Sequence, residues 1–259
     1  MEPLLKVEHL TICYDGTEIV KDVSLSLQKG EVLGIVGESG SGKSTLLRTL
    51  MGLPEEGRQV TGGSIWYQGR NLTELSQKEL RRIRGTQIGM IFQDSKASLC
   101  PVRKIGRQMQ EAMQSHRKMC AKEVKEQALA VMEKLRLEDP ERIWNSYPFE
   151  LSGGMNQRVG ICMAMMQQPN LLLADEPTSA LDVTVQRQVI EELKLMKQET
   201  ETAMILVTHN MDVVKQLADQ ILVLQNGQEK EYGECQKVLE EPQDPYTRKL
   251  IASVLTLRK

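Results

Sequence analysis

The sequence predicts an α/β fold with a mainly parallel sheet covered by helices. An apolar run at residues 32–36 is followed by a glycine-rich segment and then by a helical pattern that begins near Leu46. After residue 170, strand and helix patterns alternate along the chain. Such alternation is typical of parallel strands whose crossover connections are helices.

The first 92 residues contain five predicted strands. Strands are expected where apolar residues alternate with polar ones or run together, and Gly and Asp mark the turns between them. The predicted strands are residues 4–14, 18–27, 32–36, 62–67 and 87–92. One helix follows the glycine-rich segment, and the spacing of Ser76 and Glu79 in a capping box opens a second, short helix that ends at Arg84.

The middle of the chain is predicted to be helical. Residues 102 to about 137 form a long stretch of helical periodicity, and a second helix is predicted from about 155 to 167. The block of about residues 95–168 is therefore expected to be a helical subdomain inserted into the α/β domain. Strands at 171–174, 203–207 and 220–224 then alternate with helices at 184–198 and 210–217.

Composition excludes several classes of protein. The net charge of −2 lacks the basic excess of a nucleic-acid-binding protein, so no nucleic-acid partner is expected. No apolar run approaches the ~20 residues of a membrane-spanning helix, and the N-terminus lacks the pattern of a signal peptide. The five cysteines are scattered without metal-site spacing. We expect a cytosolic chain with reduced thiols that reaches a membrane only through a partner.

The glycine-rich segment at residues 37–45, GESGSGKST, has the pattern of a phosphate-binding loop in the strand–loop–helix context that this pattern requires. Its glycines allow backbone conformations in which successive N–H groups converge on phosphate oxygens. The following helix adds the positive end of its dipole. Lys43 is expected to reach the β- and γ-phosphates, and the Ser44 hydroxyl is expected to hold Mg²⁺. The segment predicts binding of a nucleoside triphosphate.

Two carboxylates, Asp175 and Glu176, follow the apolar strand at 171–174. In a parallel sheet, ligands bind beyond the carboxyl ends of the strands, where the phosphate-binding loop also lies. Asp175 is expected to hold Mg²⁺ directly or through water. Glu176 is expected to polarise the water that attacks the γ-phosphate, a general-base contribution of about 10²–10⁴-fold. An acidic pair alone often caps the next helix, and the neighbouring loop favours the catalytic role.

Together the motifs resemble the nucleotide-binding subunit of an ATP-binding cassette (ABC) transporter, in order along nearly all of the chain. The matching segments are GESGSGKST, Gln93 in IFQD, the signature LSGGMNQR, LLLADEP, the D-loop SALD that ends at Asp182, and the switch histidine His209 after Thr208. The resemblance implies the ABC form of the P-loop NTPase fold, with an antiparallel β subdomain beside the parallel core. It implies one nucleotide-binding domain over residues 1–259, with a C-terminal tail at about 234–259.

The resemblance also implies roles for single residues. Two such domains meet head to tail, so each ATP lies between one phosphate loop and the signature of the other domain. His209 would contact the γ-phosphate, Gln93 would contact Mg²⁺ and the attacking water, and Asp182 would couple the two sites. The residues expected to contact ATP are Tyr14, Gly37, Ser39, Gly40, Gly42, Lys43, Ser44 and Thr45, with Ser152, Gly153, Gly154 and Asp182 serving the paired site.

Local chemistry leaves alternatives open for several of these residues. Tyr14 stands where the family has an aromatic residue that stacks on adenine, and the less favoured alternative is a packed residue at the end of a strand. Ser152 with its two glycines has the geometry of an anion site at a helix start and also that of an ordinary N-cap. Asp182 is equally suited to cap the next helix, and a lone histidine such as His209 is most often structural. The ends of apolar strands and the family resemblance favour the functional roles.

A narrower resemblance is to the ATPases of peptide and nickel importers, through PTSALDVTVQ and the tail DPYTRKL at residues 244–250. That group commonly has histidine in place of Asp244 and asparagine in place of Cys100. The resemblance implies ATP hydrolysis that drives import of a dipeptide, oligopeptide, nickel ion or metal chelate. The chain ends soon after this tail, which favours nickel, chelates or short peptides. The alternative is a non-transport ABC ATPase associated with ribosomes or DNA.

The same resemblance implies the partners. We expect a second ABC ATPase subunit, as a heterodimer in preference to a homodimer, and two transmembrane permease subunits. An extracytoplasmic solute-binding protein would join through the complex. The chain is then peripheral, at the cytoplasmic face of the cell membrane, with residues 94–107 as the expected surface for docking to the permease.

Overall fold

A ten-stranded sheet runs through the described part of the computed structural model, residues 2–179 and 181–256, the last three of them by backbone alone. The strands are β1 (Leu5–Tyr14), β2 (Thr17–Leu27), β3 (Val32–Val36), β4 (Arg58–Tyr67), β5 (Arg70–Asn71), β6 (Ile88–Ile91), β7 (Leu171–Asp175), β8 (Ala203–Val207), β9 (Gln220–Gln225) and β10 (Gln228–Glu234). Their order in the sheet is β5-β4-β1-β2-β10-β9-β3-β8-β7-β6.

One half of the sheet is parallel. Strands β9, β3, β8, β7 and β6 pair in parallel, and every residue of β3, β6, β7 and β8 is buried. Strands covered on both faces favour continuous apolar runs, which is why the sequence identifies them. Their carboxyl ends meet at one edge, and this edge places the phosphate-binding loop beside Gln93, Asp175 and His209.

The other half of the sheet is antiparallel and is built from β1, β2, β4 and β5. Strand β10 connects the two halves, because it pairs antiparallel with β9 and makes one bridge to β2. The β9–β10 turn is Asn226-Gly227, with φ values of 51° and 78°. The parallel core and the antiparallel subdomain are both as expected, whereas β5 and β10 had not been predicted.

Helices cover the sheet. They are α1 (Lys43–Leu50), α2 (Gln77–Ile83), α3 (Ser95–Ser98), α4 (Ile105–Gln114), α5 (Ala121–Lys134), α6 (Pro140–Asn145), α7 (Gly153–Met166), α8 (Val183–Glu199), α9 (Met211–Leu217), α10 (Cys235–Glu240) and α11 (Pro245–Thr256). Every element between β6 and β7 is helical. The long helical stretch expected at 102–137 is divided into α4 and α5, because Cys120 and Glu123 form a capping box that starts a new helix at Ala121.

The C-terminal tail lies against the parallel half of the sheet. Tyr246, Leu250 and Ile251 of α11 pack on a cluster that contains Val36 at the end of β3 and Met211 at the start of α9. Within the residues the structure describes, no helix is long and apolar enough to cross a bilayer.

Candidate nucleotide-binding site

A cleft of about 790 Å³ lies where the parallel strands end. Its walls come from the loop after β3 and from the segments that follow β6, β7 and β8. The expected site residues that line it are Gly37, Ser39, Gly40, Gly42, Lys43, Ser44, Thr45, Gln93, Glu176 and His209. The fold therefore brings together groups that are separated in the sequence by up to 172 positions, from residue 37 to residue 209.

Glycine is required at two positions of the loop. Gly37 has φ 155° and Gly42 has φ 96°, which are conformations that residues with a Cβ rarely adopt. A Cβ on Gly37 would lie 2.1 Å from the carbonyl oxygen of Leu224, and one on Gly42 would lie 2.9 Å from that of Ile19. The loop thus fits against β9 and β2 only with bare backbone at these two points.

The Lys43 ammonium is held inside the loop. Its Nζ donates to the carbonyl oxygens of Gly37 (2.9 Å) and Glu38 (2.7 Å) and to the hydroxyl of Ser41 (3.3 Å). Burial lowers the pKa of Lys43, and the nearby carboxylates oppose that shift. An ammonium surrounded by weak neutral acceptors is ready to exchange them for phosphate oxygens.

Ser44 lines the cleft and is hydrogen-bonded to Asp175, which is not itself among the described lining residues. The Ser44 hydroxyl donates to Asp175 Oδ1 at 2.8 Å, and Asp175 is almost fully buried. Burial raises the pKa of Asp175, and the hydrogen bond from Ser44 opposes the shift. This pair of oxygens fits Mg²⁺, which binds through one or two protein oxygens together with water and phosphates. Among the described residues, no group of three or more His, Cys, Asp or Glu side chains has the arrangement of a metal site.

Glu176 and His209 form a contact across the ends of β7 and β8. His209 Nδ1 lies 2.7 Å from Glu176 Oε2, with the glutamate side chain 16% exposed and the histidine side chain 68% exposed. The backbone N–H of Glu176 donates to the carbonyl oxygen of Val207 at 2.9 Å. A carboxylate held at the cleft wall beside an exposed imidazole is suited to accept a proton from a bound water.

Tyr14 is not among the described residues that line this cleft. It ends β1 and is partly buried. Burial raises the pKa of its hydroxyl, with a hydrogen bond to the Glu55 carboxylate contributing to the shift. This geometry corresponds to the packed strand-end alternative that the sequence left open, and its contact with a nucleotide stays a prediction.

The signature residues and Asp182 of the D-loop are not among the described residues that line the cleft, whereas Ser179, the first residue of the D-loop, does line it. The Ser152 hydroxyl accepts from the N–H of Met155 and caps α7, while Asp182 Oδ1 accepts from Thr184 and Val185 and caps α8. Gly154 is close to α8, since a Cβ on it would lie 2.6 Å from Val185 Cγ1. Both segments thus have the N-cap geometry that local chemistry predicted, and Gly153 and Ser152 are exposed.

Sequence reasoning missed a contribution from the C-terminal tail. Leu250 lines the cleft, and the Tyr246 hydroxyl accepts a hydrogen bond from the N–H of Glu38 in the phosphate-binding loop. An available signal was Asp244-Pro245, because an N-cap residue followed by proline is typical of a helix start.

Comparison with known proteins decides the family. A sequence model described as "ABC transporter" matches residues 20–179. The chain is 42% identical to the dipeptide transport ATP-binding protein DppD of Bacillus subtilis, covering 98% of this chain and 77% of that protein. The chain belongs to the ABC transporter family. It is 45% identical to the oligopeptide transport ATP-binding protein AmiE of Streptococcus pneumoniae, covering 91% of this chain and 66% of AmiE.

Solved structures agree with this membership. The ABC cassette MJ0796, determined as a dimer in a post-hydrolysis state with ADP and Pi, is 29% identical with a TM-score of 0.80 over 89% of this chain and 98% of its own. The ABC transporter component cbiO1 from Clostridium perfringens is 26% identical with a TM-score of 0.79, covering 99% of this chain and 98% of its own. The predicted ABC form of the P-loop fold is confirmed, and the chain is an ABC ATPase that binds ATP.

Proposed function

We propose that this chain is the ATP-hydrolysing subunit of a peptide importer. The observation that carries the chemistry is the single cleft in which Lys43, the Ser44–Asp175 pair and the Glu176–His209 pair converge. The names of the relatives, which refer to dipeptide and oligopeptide transport, support peptide cargo. They give no specific support to the nickel and chelate alternatives.

Each residue of the proposed site has its own role in hydrolysis. The loop N–H groups and Lys43 bind the phosphates. Ser44, Asp175 and Gln93 would hold Mg²⁺, which would neutralise phosphate charge. A water attacks the γ-phosphorus and the bond from phosphorus to the bridging oxygen breaks, so ADP leaves with that oxygen. Glu176 accepts the proton that the water loses, and His209 contacts the γ-phosphoryl oxygens.

A second cassette completes the site. The dimer of MJ0796 supports pairing of two cassettes. In that pairing Ser152, Gly153 and Gly154 face the ATP of the partner, which is consistent with their exposed or half-buried position outside the chain's own cleft. Asp182 couples the two ATP sites, and the Tyr14 ring stacks on the adenine of the bound ATP. We infer a heterodimer, with a homodimer as the alternative.

The cassette pair acts on two transmembrane permease subunits, at the cytoplasmic face of the membrane, with an extracytoplasmic solute-binding protein delivering cargo. Residues 94–107 are our proposed docking surface. Support comes from exposed apolar side chains within and beside this segment, Phe92 at 41% and Val102 at 79% exposure. Phe149, 65% exposed and stacked on Tyr147, extends the same surface, because Lys104 lies 5.9 Å from the Tyr147 ring.

The general-base role is tested by Glu176→Gln. This change keeps the size of the side chain and removes its ability to take a proton, so ATP binding should persist while turnover falls by at least about 10²-fold. Binding is measured by titration of the purified chain with MgATP, and turnover by phosphate release. A hydrolysis rate equal to that of the wild type would show that Glu176 is not the base.

The transport role is tested by co-purification. The tagged chain is recovered from gently solubilised membranes of its native host, and its companions are identified by mass spectrometry. Two multi-span permeases and a second ATPase are the expected result, and the accompanying solute-binding protein can then be titrated with peptides, nickel and chelates. Ribosomal or DNA-bound companions without a permease would overturn the transport role and leave the ATPase chemistry intact.

A further inference from the structure

We propose that Tyr246 is a positioning residue for the phosphate-binding loop, through which helix α11 sets the nucleotide affinity of the cleft. The proposal deepens the function proposed above and rests on it, because it concerns the same cleft. It assigns a role to the DPYT segment of the tail, which carries none of the chemistry described so far.

The decisive contact is at the peptide unit between Gly37 and Glu38. The N–H of this unit belongs to Glu38 and donates to the Tyr246 hydroxyl at 3.1 Å. The carbonyl of the same unit belongs to Gly37 and accepts from Lys43 Nζ at 2.9 Å. Because the N–H and C=O of a trans peptide point in opposite directions, Tyr246 and Lys43 hold the unit from its two sides.

The Tyr246 hydroxyl is itself held in a fixed place. Asp244 Oδ1 accepts from the N–H groups of Tyr246 (2.7 Å) and Thr247 (3.3 Å), which caps the start of α11. The Glu231 carboxylate of β10 accepts from the N–H groups of Gln243 (2.9 Å) and Asp244 (3.2 Å). The start of the helix is therefore tied to the sheet, and the hydroxyl is not carried on a loose tail.

The same helix also contacts the nucleotide cleft and its surroundings. Leu250, one turn after Tyr246, lines the cleft. Both residues pack on the cluster that contains Val36 and Met211, which flank the phosphate-binding loop and the His209 segment respectively. Helix α11 thus bridges the two segments of the site that come from β3 and β8.

Nucleotide affinity is the property this arrangement controls. When phosphate enters, Lys43 exchanges the Gly37 carbonyl for phosphate oxygens. Among the described side chains, Tyr246 is then the one that still holds this peptide unit. A loop that keeps its orientation loses less conformational entropy on binding, which strengthens affinity. Within the described residues, Tyr246 makes no hydrogen bond to Glu176 or His209 and is not among those that line the cleft, so the chemical step should be unaffected.

The test is Tyr246→Phe in the full-length chain, which removes the hydroxyl and keeps the ring packing. The matched control is Tyr232→Phe, since the Tyr232 hydroxyl also bonds to backbone, at Ser26, away from the cleft. MgADP and MgATP are titrated against each variant by calorimetry, and KM and kcat are measured by phosphate release.

We expect Tyr246→Phe to raise Kd and KM by roughly two- to tenfold, which is the effect of one hydrogen bond, with kcat within about twofold of the wild type. Tyr232→Phe should leave both affinities unchanged, and melting curves verify that both variants fold. Unchanged affinity in Tyr246→Phe, a loss of kcat at constant KM, or an equal loss in Tyr232→Phe would each overturn the proposal. A wild-type chain that binds no nucleotide would instead overturn the proposed function itself.

Discussion

Glu176 is positioned by its backbone as well as by its neighbours. Its φ of 47° lies in the left-handed region, which residues other than glycine rarely adopt. Its N–H is bonded to the carbonyl of Val207, the last residue of β8, so the turn after β7 is tied to the strand that precedes His209. Backbone strain of this kind persists only where the surroundings determine it, and it is common at catalytic sites.

The chain offers a matched pair for testing His209. His9 contacts Asp22 with the same atom, Nδ1 to Oδ1 at 2.8 Å, but on the antiparallel half of the sheet. Both histidines are exposed, so His209→Ala and His9→Ala should each change the free energy of unfolding by less than about 0.5 kcal/mol. Only His209→Ala should reduce ATP hydrolysis, by roughly tenfold or more. Equal activity in the two variants would refute the role of His209.

Single residues differ in how far the sequence predicts them. Lys43 and Ser44 follow the glycine-rich loop after an apolar strand, and Asp175 and Glu176 stand at the end of another apolar strand, so local pattern and strand direction place them together. Tyr246 could not be predicted to reach Glu38, because the two residues are 208 positions apart and no local pattern records their contact. The aspartate at 244, where the importer group commonly has histidine, has a local explanation: Asp244 caps the helix that begins at Pro245, and aspartate is a strong N-cap residue.

Among the helices, one buried ion pair connects the inserted block to the core. Arg158 of α7 donates from Nε to Glu192 of α8 at 2.5 Å and from its terminal nitrogen to the carbonyl of Leu135, just after α5. The second oxygen of Glu192 has no hydrogen-bond partner among the described residues. Burial raises the pKa of Glu192 to about 7, and Arg158 opposes that shift.

This pair gives stability a pH dependence with a definite sign. The pKa of Glu192 rises on folding from 4.5 to about 7, so the folded state binds the proton more strongly. The contribution of Glu192 to the free energy of unfolding is therefore greatest below about pH 4.5 and is lost as pH rises through about 7. Arg158→Met removes the opposing charge, so Glu192 should bind its proton still more strongly in the folded variant.

We expect Arg158→Met to lower the free energy of unfolding by roughly 3–5 kcal/mol at about pH 8, and by clearly less at about pH 5, where Glu192 is neutral in both proteins. Chemical denaturation at the two pH values measures the difference. Lys134→Met is the control, because its exposed pair with Glu199 also links α5 to α8. It should cost less than about 1 kcal/mol at either pH. A loss for Arg158→Met that does not vary with pH would contradict the assignment.

Strands buried on both faces were predicted best, because a short continuous apolar run between turn residues indicates a buried strand. Strand β10, QEKEYGE, was missed because it is polar and is fixed by its pairing with β9. Its turn, Asn226-Gly227, was the available signal, since this dipeptide favours the positive φ values of a two-residue hairpin. The division between α4 and α5 was missed because no Gly or Pro interrupts residues 115–120.

At the scale of the whole molecule, topology decides which motifs share a site. The order β3-β8-β7-β6 places the phosphate loop, His209, Glu176 and Gln93 along one edge. Sequence alternation predicts that these strands are parallel, but it does not fix their order, which depends on long-range pairing. The signature of α7 is absent from the described lining of this cleft, so on our proposal its ligand is held by another cassette.

Substitution of Gly153 and of its neighbour Gly154 can distinguish an effect on folding from an effect on the pairing of two cassettes. A Cβ on Gly153 would meet nothing within 4 Å, whereas one on Gly154 would overlap Val185 of α8. Gly153→Ala should therefore leave the melting temperature unchanged or slightly raised, because alanine favours helix. Gly154→Ala should destabilise the chain by about 1–3 kcal/mol through overpacking.

Any effect of Gly153→Ala on ATP hydrolysis should then come from its contact with a second cassette and not from a change in the fold. If the exposed signature approaches ATP held by a second cassette, the added methyl group disturbs that approach and should reduce hydrolysis by the assembled transporter by roughly tenfold or more. Binding of MgATP to the isolated chain should not change, since Gly153 is outside its own cleft lining. Calorimetry on the isolated chain and phosphate release from the complex separate these effects. Full activity in the assembled complex would mean that Gly153 does not face the partner's nucleotide.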